Sequence, residues 1–316
     1  MLAIFDITGP IFITIFVGYL LTRVGMFDRA GIQAIGRFVI NLALPALVLK
    51  ALSANRFVEV ISGPYLFAYA FGSFVALAVG YLWGRRISGK ERLPSTFYAM
   101  GASCANSGFI GYPIVALTFP AVAGVTLAMN MMIENILLIP AVILLAERSR
   151  LGAASWRTAR TLARKIATTP LFVAIVIGVA MSGADIKLPV VLARTVDLVA
   201  AASGSLTLFV IGGTLAGLKV SRAGFAVLPI VVFKLLVHPL ATALGLFLGA
   251  ALGLPAIDRE LQMTAILVSA LPMMSIYTTL AMQYGHEDMS ALALLAATVV
   301  SFFSVSGLLW AFRNLV

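Results

Sequence analysis

Two short stretches of the chain combine hydrogen-bonding side chains with residues that interrupt helices. The first covers residues 104–113 and reads Cys-Ala-Asn-Ser-Gly-Phe-Ile-Gly-Tyr-Pro. Asn106, Ser107 and Gly108 are disfavoured inside helices, and Pro113 suits the first turn of a helix that starts again. Backbone that is unwound within a bilayer must be satisfied by surrounding protein or by a water-filled cavity. The stretch therefore predicts a broken membrane helix with a binding site at its break.

A second stretch with the same character covers residues 269–277 and reads Ser-Ala-Leu-Pro-Met-Met-Ser-Ile-Tyr. Pro272 and Met273 lie near the middle of an apolar segment, and Ser269 and Ser275 flank them. Either stretch alone is compatible with a simple proline kink. Two broken helices in matching halves of one chain instead favour a secondary transporter.

The chemistry of two crossing breaks favours an anionic ligand. The second half of each broken helix presents unpaired N–H groups and a partial positive charge at its N-terminal end. Asn106 is placed to donate its amide to a carboxylate, and Ser107, Ser269 and Ser275 are further neutral donors. Such a site binds an anion without a buried cation, which is costly to desolvate. We therefore predict a small organic anion as the substrate.

Ionisable residues in apolar segments are candidates for function, because isolated charges are costly there. Glu134 is predicted to exchange a proton, to brace the break by accepting hydrogen bonds, or to help bind sodium. His238 is either part of a proton relay or a neutral packed imidazole, and Lys234 one turn earlier disfavours its protonation. For Asp197 we predict a structural ion pair with Arg194.

Composition assigns the chain to the membrane proteins. It has 61% hydrophobic and 11% charged residues, whereas a soluble protein has about 25% charged residues. A single cysteine excludes an internal disulfide, and two histidines with one cysteine exclude a Cys/His zinc cluster. No cofactor or metal is expected. We attribute the net charge of +10 to membrane topology and contact with anionic lipid, not to nucleic-acid binding.

The hydropathy pattern predicts an all-α polytopic protein with ten transmembrane helices. The predicted spans are 3–21, 32–52, 64–84, 95–119, 122–146, 170–181, 188–215, 225–252, 262–283 and 291–312. Breaks fall in the fourth and ninth spans. Asn41 and Pro45 also interrupt the second span, where they form either a wall of the substrate path or a kink that fits a neighbouring helix.

The predicted spans form two five-helix repeats, residues 1–147 and 170–316, separated by a basic loop at 148–169. An odd number of spans in each repeat makes the duplication inverted. A shift of about 160 to 170 positions places Asn106 near Pro272. The same shift places Asn41 near the cluster around Ser205, so both are candidate site residues.

The distribution of lysine and arginine predicts the orientation. The side with the central loop also carries Arg23, Arg29, Arg85, Arg86, Lys90, Arg92, Lys219 and Arg222. The opposite side carries Lys50, Arg56, Lys187, Arg259 and Arg313. The central loop is therefore predicted to be cytoplasmic and both termini to lie outside. Lys50 either attracts anions at the entrance or extends to the membrane surface.

The chain resembles the auxin efflux carrier family over essentially its whole length. The segments that carry the resemblance are residues 106–113, the Ala-Leu-Pro at 270–272, the stretch 41–45 and the basic loop. The resemblance implies a scaffold made of helices 1, 2, 6 and 7, a transport unit made of helices 3–5 and 8–10, and an elevator-like motion. Ala105, Met273 and the short central loop depart from the plant members. They favour a bacterial inner-membrane permease for mono- or dicarboxylates such as malonate. We also expect a homodimer and coupling to H+ or Na+.

Two other functions are compatible with parts of the pattern. A cation/proton antiporter also uses crossed helices, but the two stretches contain no aspartate or glutamate. An intramembrane hydrolase would pair Ser107 or Cys104 with His238, but the chain has no G-x-S-x-G motif. We therefore expect a transporter and not an enzyme.

Overall fold

A computed structural model describes residues 2–54, 61–151, 156–217 and 224–314. In this part of the chain the secondary structure is helical, without a β-strand. Arg56, Ser155, Lys219 and Arg222 lie outside the described residues. The α-helices are α1 (Leu2–Arg23), α2 (Arg29–Phe38), α3 (Leu44–Ala54), α4 (Gly63–Leu82), α5 (Arg92–Ser103), α6 (Tyr112–Thr118), α7 (Ala123–Met132), α8 (Ile139–Leu151), α9 (Trp156–Ala167), α10 (Pro170–Gly183), α11 (Val190–Ala216), α12 (Leu228–Val232), α13 (His238–Ala251), α14 (Arg259–Ser269), α15 (Ile276–Gln283) and α16 (Glu287–Asn314).

Short π-helical turns join several of these helices into longer rods. They cover Val39–Ala43, Trp83–Ile87, Ser107–Gly111, Ile133–Leu138 and Phe233–Val237. The turn at Val39–Ala43 contains Asn41, and Pro45 lies in the first turn of α3. A widened turn accommodates a proline whose nitrogen cannot donate. The predicted interruption of the second span is therefore a local π-turn, and the chain stays helical through it.

Six helical rods in the described chain are long and apolar enough to cross a membrane. They are Arg29–Ser53, Gly63–Ile87, Ala123–Arg150, Val190–Ala216, Leu228–Ala251 and Glu287–Asn314. Shorter apolar helices cover Thr8–Arg23, Ser107–Thr118 and Pro170–Gly183. The expectation of an all-helical membrane protein is confirmed. The inverted arrangement of ten helices stays a prediction.

The chain divides into two compact units. Unit 1 comprises residues 1–62, 108–132 and 165–218, and unit 2 comprises residues 63–107, 133–164 and 219–316.

Unit 1 packs through glycines and an aliphatic core. Gly18 lies against the backbone of Phe209, and Gly212 lies against the backbone of Ile15, so α1 and α11 approach too closely for larger side chains. A core cluster fills the space between α3, α7, α10 and α11. It contains Val39, Leu44, Leu47, Val48, Leu52, Leu127, Ala128, Met131, Ile175 and Ala200.

In unit 2, glycines also allow close helix packing around α4. A Cβ atom on Gly72 would collide with Thr242 of α13, and one on Gly245 would lie 2.9 Å from the carbonyl oxygen of Ala68. These close approaches fix the helices that carry the buried polar side chains of unit 2.

Candidate functional site

The first predicted break is a short non-helical segment. Helix α5 ends at Ser103, and Cys104 has extended backbone angles of φ −81° and ψ 120°. The chain becomes helical again at Ser107, where a π-turn leads into α6. Asn106 and Ser107 are each only 2% exposed. The polar stretch therefore lies inside the protein, where its backbone groups require protein partners.

The second predicted break separates α14 from α15. Helix α14 ends at Ser269, and α15 begins at Ile276 with Ser275 as its N-cap residue. Between them Leu271 and Met273 are fully buried. Both broken helices thus have the interruption where the sequence predicts it.

The two breaks lie side by side within unit 2. The backbone N–H of Asn106 donates to the carbonyl oxygen of Pro272 at 3.0 Å. Ala105 and Met273 form an isolated antiparallel β-bridge. The unwound backbone groups thus satisfy one another across the breaks. Of the predicted site residues, the structure brings Asn106, Pro272 and Met273 into this junction.

A buried carboxyl group lies beside the first break. Glu134 is fully buried in the π-turn Ile133–Leu138, which precedes α8. Its Oε1 accepts hydrogen bonds from the Ser107 hydroxyl at 2.5 Å and from the Tyr69 hydroxyl at 2.7 Å. The backbone N–H of Ala105 also interacts with the carboxyl group. Oε2 has no partner of good hydrogen-bond geometry among the described residues.

A buried lysine lies beside the second break. Lys234 is fully buried, and its ammonium group donates to the carbonyl oxygen of Ser269 at 2.5 Å. It also lies 2.9 Å from Nδ1 of His238, whose Nε2 lies 3.0 Å from the Ser73 hydroxyl. A charged Lys234 makes Nδ1 an acceptor, which assigns the imidazole proton to Nε2. His238 is then a neutral ring that connects Lys234 to Ser73.

An acid and a base therefore support the two halves of one junction. Tyr69 donates its hydroxyl to Glu134, and the centroid of its ring lies 5.8 Å from that of the His238 ring. No ion pair within 4 Å joins Glu134 and Lys234 in the described chain. The sequence-based argument used only neutral donors at the site, and the structure adds the ammonium group of Lys234 to them.

Of the remaining predicted residues, Ser269 joins this hydrogen-bonded cluster only through its backbone carbonyl oxygen, and the others lie outside it. The Ser269 hydroxyl donates to the carbonyl oxygen of Ile266, and Ser275 is half-buried without a side-chain cap bond. The other four lie in unit 1: Gly108 and Pro113 are buried, whereas Asn41 and Ser205 are exposed. Their place in a binding site stays a prediction.

Sequence reasoning missed Lys234, Tyr69 and Ser73 as members of the cluster. Lys234 carried a signal of its own, because a lysine in the middle of an apolar span is expensive unless it is paired. Tyr69 and Ser73 share one face of α4 at a spacing of four residues, but nothing in that spacing indicates a buried acid.

The predicted ion pair between Asp197 and Arg194 is wrong. Asp197 pairs with Lys50 at 2.7 Å, and each side chain is 51% exposed. Helices α3 and α11 pack against each other in unit 1, so a partner on a neighbouring helix is as near as one on the same helix. This pairing also gives Lys50 a local structural role.

The buried junction of two broken helices, with an acid and a base beside it, is typical of membrane carriers. The profile of the family described as "Membrane transport protein" matches residues 4–309. The chain belongs to this family, which confirms the resemblance to the auxin efflux carriers.

Two relatives extend the comparison. The chain is 29% identical over 319 aligned residues to a protein of Rhizobium meliloti (strain 1021) named "Putative malonate transporter", with 98% of this chain and 97% of the relative covered. It is 26% identical over 112 residues to an "Uncharacterized transporter" of Methanothermobacter thermautotrophicus, with 34% of this chain and 36% of the relative covered.

The chain is therefore a multi-pass membrane transporter and not an enzyme. The geometry agrees with this conclusion. His238 contacts Ser73 and Lys234, whereas Ser107 contacts Glu134 and Tyr69. A hydrolase would require His238 to activate Ser107 or Cys104.

Proposed function

We propose that the chain is a secondary active transporter of small organic anions, with mono- and dicarboxylates such as malonate as the substrate class. The observation that carries this proposal is the junction between Asn106 and Pro272. It holds two unwound segments together inside unit 2, with buried polar side chains beside them. Partial positive charge at the start of a helix and neutral donors in a buried site suit a carboxylate.

Lys234 strengthens the case for an anion. Its ammonium group is fully buried at the second break and has no ion-pair partner within 4 Å in the described chain. A buried cation without a close counter-ion is costly. A bound carboxylate near the junction offsets this cost.

The experiment that tests the proposal is binding of labelled malonate to the purified protein. Alanine in place of Asn106 removes the side-chain amide but keeps the backbone N–H that donates to Pro272. Loss of a hydrogen bond to a charged group costs about 1.5 to 3 kcal/mol, which corresponds to about 10- to 100-fold weaker binding. We expect this loss with unchanged insertion. Wild-type affinity in the Asn106→Ala variant would remove Asn106 from the site.

Coupling and motion complete the proposal. Glu134 and His238 are the proposed groups that link anion movement to H+, with Na+ as the other candidate ion. The proposed motion is elevator-like. Its scaffold is made of the predicted spans 1, 2, 6 and 7, and its transport unit is made of the predicted spans 3–5 and 8–10. The proposed assembly is a homodimer. What supports the mechanism is the family and the broken helices.

The proposed location is the inner membrane of a bacterium, with a cytoplasmic central loop and both termini outside. In a background without Cys104, a cysteine at Ser155 should be protected from an impermeant thiol reagent in intact cells. A cysteine at Asn314, whose side chain is exposed, should react. The reverse labelling pattern would contradict the orientation.

One observation favours a second candidate, a cation/proton antiporter. The unpartnered Oε2 of Glu134 brings a carboxylate oxygen to the junction from a neighbouring span, although the breaks contain no acidic residue. Proteoliposomes separate the two functions. Sodium or potassium exchange for protons without any carboxylate would support the antiporter, and labelled malonate accumulation would support the anion carrier.

A further inference from the structure

A cavity of about 410 Å³ opens on unit 2, away from the buried junction. It is lined by Tyr81, Arg85, Arg92, Leu145, Arg148 and Ser149. Three of these six residues are arginines, and none is acidic. All three arginines are exposed, and none forms an ion pair within 4 Å with another residue of the described chain. The cavity therefore concentrates positive charge that forms no close ion pair within the described part of the chain.

The helices that carry two of these arginines are held close together. A Cβ atom on Gly80 would lie 2.9 Å from Cα of Ala99, and one on Gly84 would lie 2.8 Å from the Ser95 hydroxyl oxygen. Two glycines four positions apart form the small-residue face that brings helices into close contact. The end of α4 and the start of α5 are thus fixed relative to each other.

The turn between these helices orients the first arginine. Gly89 adopts a positive φ of 62°, which favours glycine, and the N–H of Lys90 donates to the carbonyl oxygen of Gly84 at 2.8 Å. Nη1 of Arg85 donates to the carbonyl oxygen of Lys90, also at 2.8 Å. One edge of the guanidinium is therefore anchored, and its other donors remain for a ligand.

The chemistry of the lining residues matches a phosphate group. Guanidinium groups donate in a planar fork that fits phosphate oxygens. The hydroxyl of Tyr81 adds a neutral donor. Three positive charges around one cavity repel each other, and an anion with one or two negative charges relieves that repulsion.

The surroundings favour a lipid as the source of the phosphate. Leu82 and Ile87, beside Arg85 in sequence, are 46% and 65% exposed. The cavity lies where the apolar rods Gly63–Ile87 and Ala123–Arg150 end. Exposed apolar side chains beside a cluster of cations at the end of membrane spans suit an acyl chain and its headgroup together.

We propose that the cavity of Arg85, Arg92 and Arg148 binds the phosphate of an anionic phospholipid. The lipid joins the ends of the rods Gly63–Ile87 and Ala123–Arg150 to the start of α5 by accepting hydrogen bonds from an arginine of each. None of the lining residues belongs to the junction of the broken helices, so this site and the transport function are tested independently.

The test compares two double variants of the full-length protein in detergent. Arg85→Gln with Arg148→Gln removes two cavity arginines. Arg86→Gln with Arg150→Gln is the control. It removes the same charge from the same two helical segments, and both of these arginines are exposed but do not line the cavity. Native mass spectrometry and thermal shift are measured with phosphatidylglycerol, with phosphatidylcholine and with inorganic phosphate.

We expect phosphatidylglycerol to bind and stabilise the wild type and the control variant. The cavity variant should bind it about tenfold more weakly or worse, since it lacks two of the three guanidinium groups that line the cavity. Equal binding by all three proteins would overturn the proposal, as would equal stabilisation by phosphatidylcholine. Stabilisation by inorganic phosphate alone would assign the cavity to a free phosphate and overturn the lipid assignment.

Discussion

The backbone N–H of Asn106 and the carbonyl oxygen of Pro272, which lie 166 positions apart in the chain, are joined by a hydrogen bond of 3.0 Å. This backbone hydrogen bond connects the two broken helices at their junction. Two buried side chains form hydrogen bonds beside it: Glu134 accepts one from Ser107, and Lys234 donates one to the carbonyl oxygen of Ser269. Unwound backbone inside a membrane protein requires protein partners, so the buried acid and base help to hold the junction together in addition to any role in transport.

The first prediction concerns the buried lysine. Lys234→Met keeps most of the length of the side chain but removes the donor that satisfies the Ser269 carbonyl oxygen. Leaving a buried partner unsatisfied costs about 1 to 3 kcal/mol. We therefore expect a clear fall in thermal stability together with loss of anion binding.

Lys50→Met is the matched control for Lys234→Met. Lys50 pairs with Asp197, but each side chain is 51% exposed. Exposed ion pairs contribute about 0 to 1 kcal/mol, so the melting temperature should change little. Equal destabilisation by both variants would contradict the structural role of Lys234.

The positions of the breaks could be predicted because their residues oppose helix formation locally. Asn106, Gly108 and Pro272 carry that information in their own backbone preferences. The partners of the break could not be predicted in the same way. The contact of Lys234 with Ser269, or of Tyr69 with Glu134, depends on how separate helices pack, and the sequence contains no local signal for that packing.

The ion pair of Asp197 shows the same limit. A spacing of three residues makes Arg194 a possible partner on one helix face. The structure pairs Asp197 with Lys50 from α3 instead. Helical periodicity indicates which residues of the same helix can form an ion pair. Whether a residue of another helix is a better partner depends on tertiary packing.

The second prediction concerns packing in unit 1, where two glycines of α11 provide an internal comparison. A Cβ atom on Gly212 would collide with the carbonyl oxygen of Ile15 and lie 2.6 Å from the nitrogen of Tyr19, whereas one on Gly204 would meet no atom within 4 Å. Gly212→Ala should therefore lower stability. Gly204→Ala should raise it by about 0.5 to 1 kcal/mol, because alanine is the better helix former. Melting curves of both variants test this, and a neutral Gly212→Ala would contradict the close approach of α1 and α11.

The third prediction concerns pH. Burial, and then the charge of Lys90, lower the pKa of His286 from its ordinary value of 6.5. Half-buried His286 also packs against the ring of Phe97 at 5.4 Å, and Phe97 contacts Tyr284. As the pH falls below 6.5, the unfolded chain binds a proton at this histidine before the folded chain does. The contribution of His286 to stability is thus present above this pH and is lost below it.

His286→Asn should remove this part of the pH dependence. We expect the melting temperature of the wild type to fall more steeply than that of the variant as the pH is lowered through 6.5. Lys90→Gln should remove the smaller, electrostatic share of the effect. Parallel curves for the wild type and His286→Asn would show that this histidine does not contribute.

The fourth prediction concerns coupling at Glu134. Glutamine in its place keeps an Oε1 that accepts hydrogen bonds from Tyr69 and Ser107, and it removes titration. Glu147→Gln is the matched control, because Glu147 also accepts a tyrosine hydroxyl, from Tyr284 at 2.6 Å. If Glu134 carries the coupled proton, Glu134→Gln should lose malonate uptake driven by a pH gradient yet keep exchange of labelled for unlabelled malonate.

The control should retain both activities, and the three proposed roles of Glu134 then separate in proteoliposomes. Loss of uptake and exchange together in Glu134→Gln would favour the brace, since a group that only holds Ser107 in place affects every step of transport. Survival of both would exclude Glu134 from coupling. If wild-type uptake depends on sodium at constant pH, the unpartnered Oε2 is better explained as a cation ligand, because sodium binds carboxylate oxygen and glutamine offers only a neutral amide there.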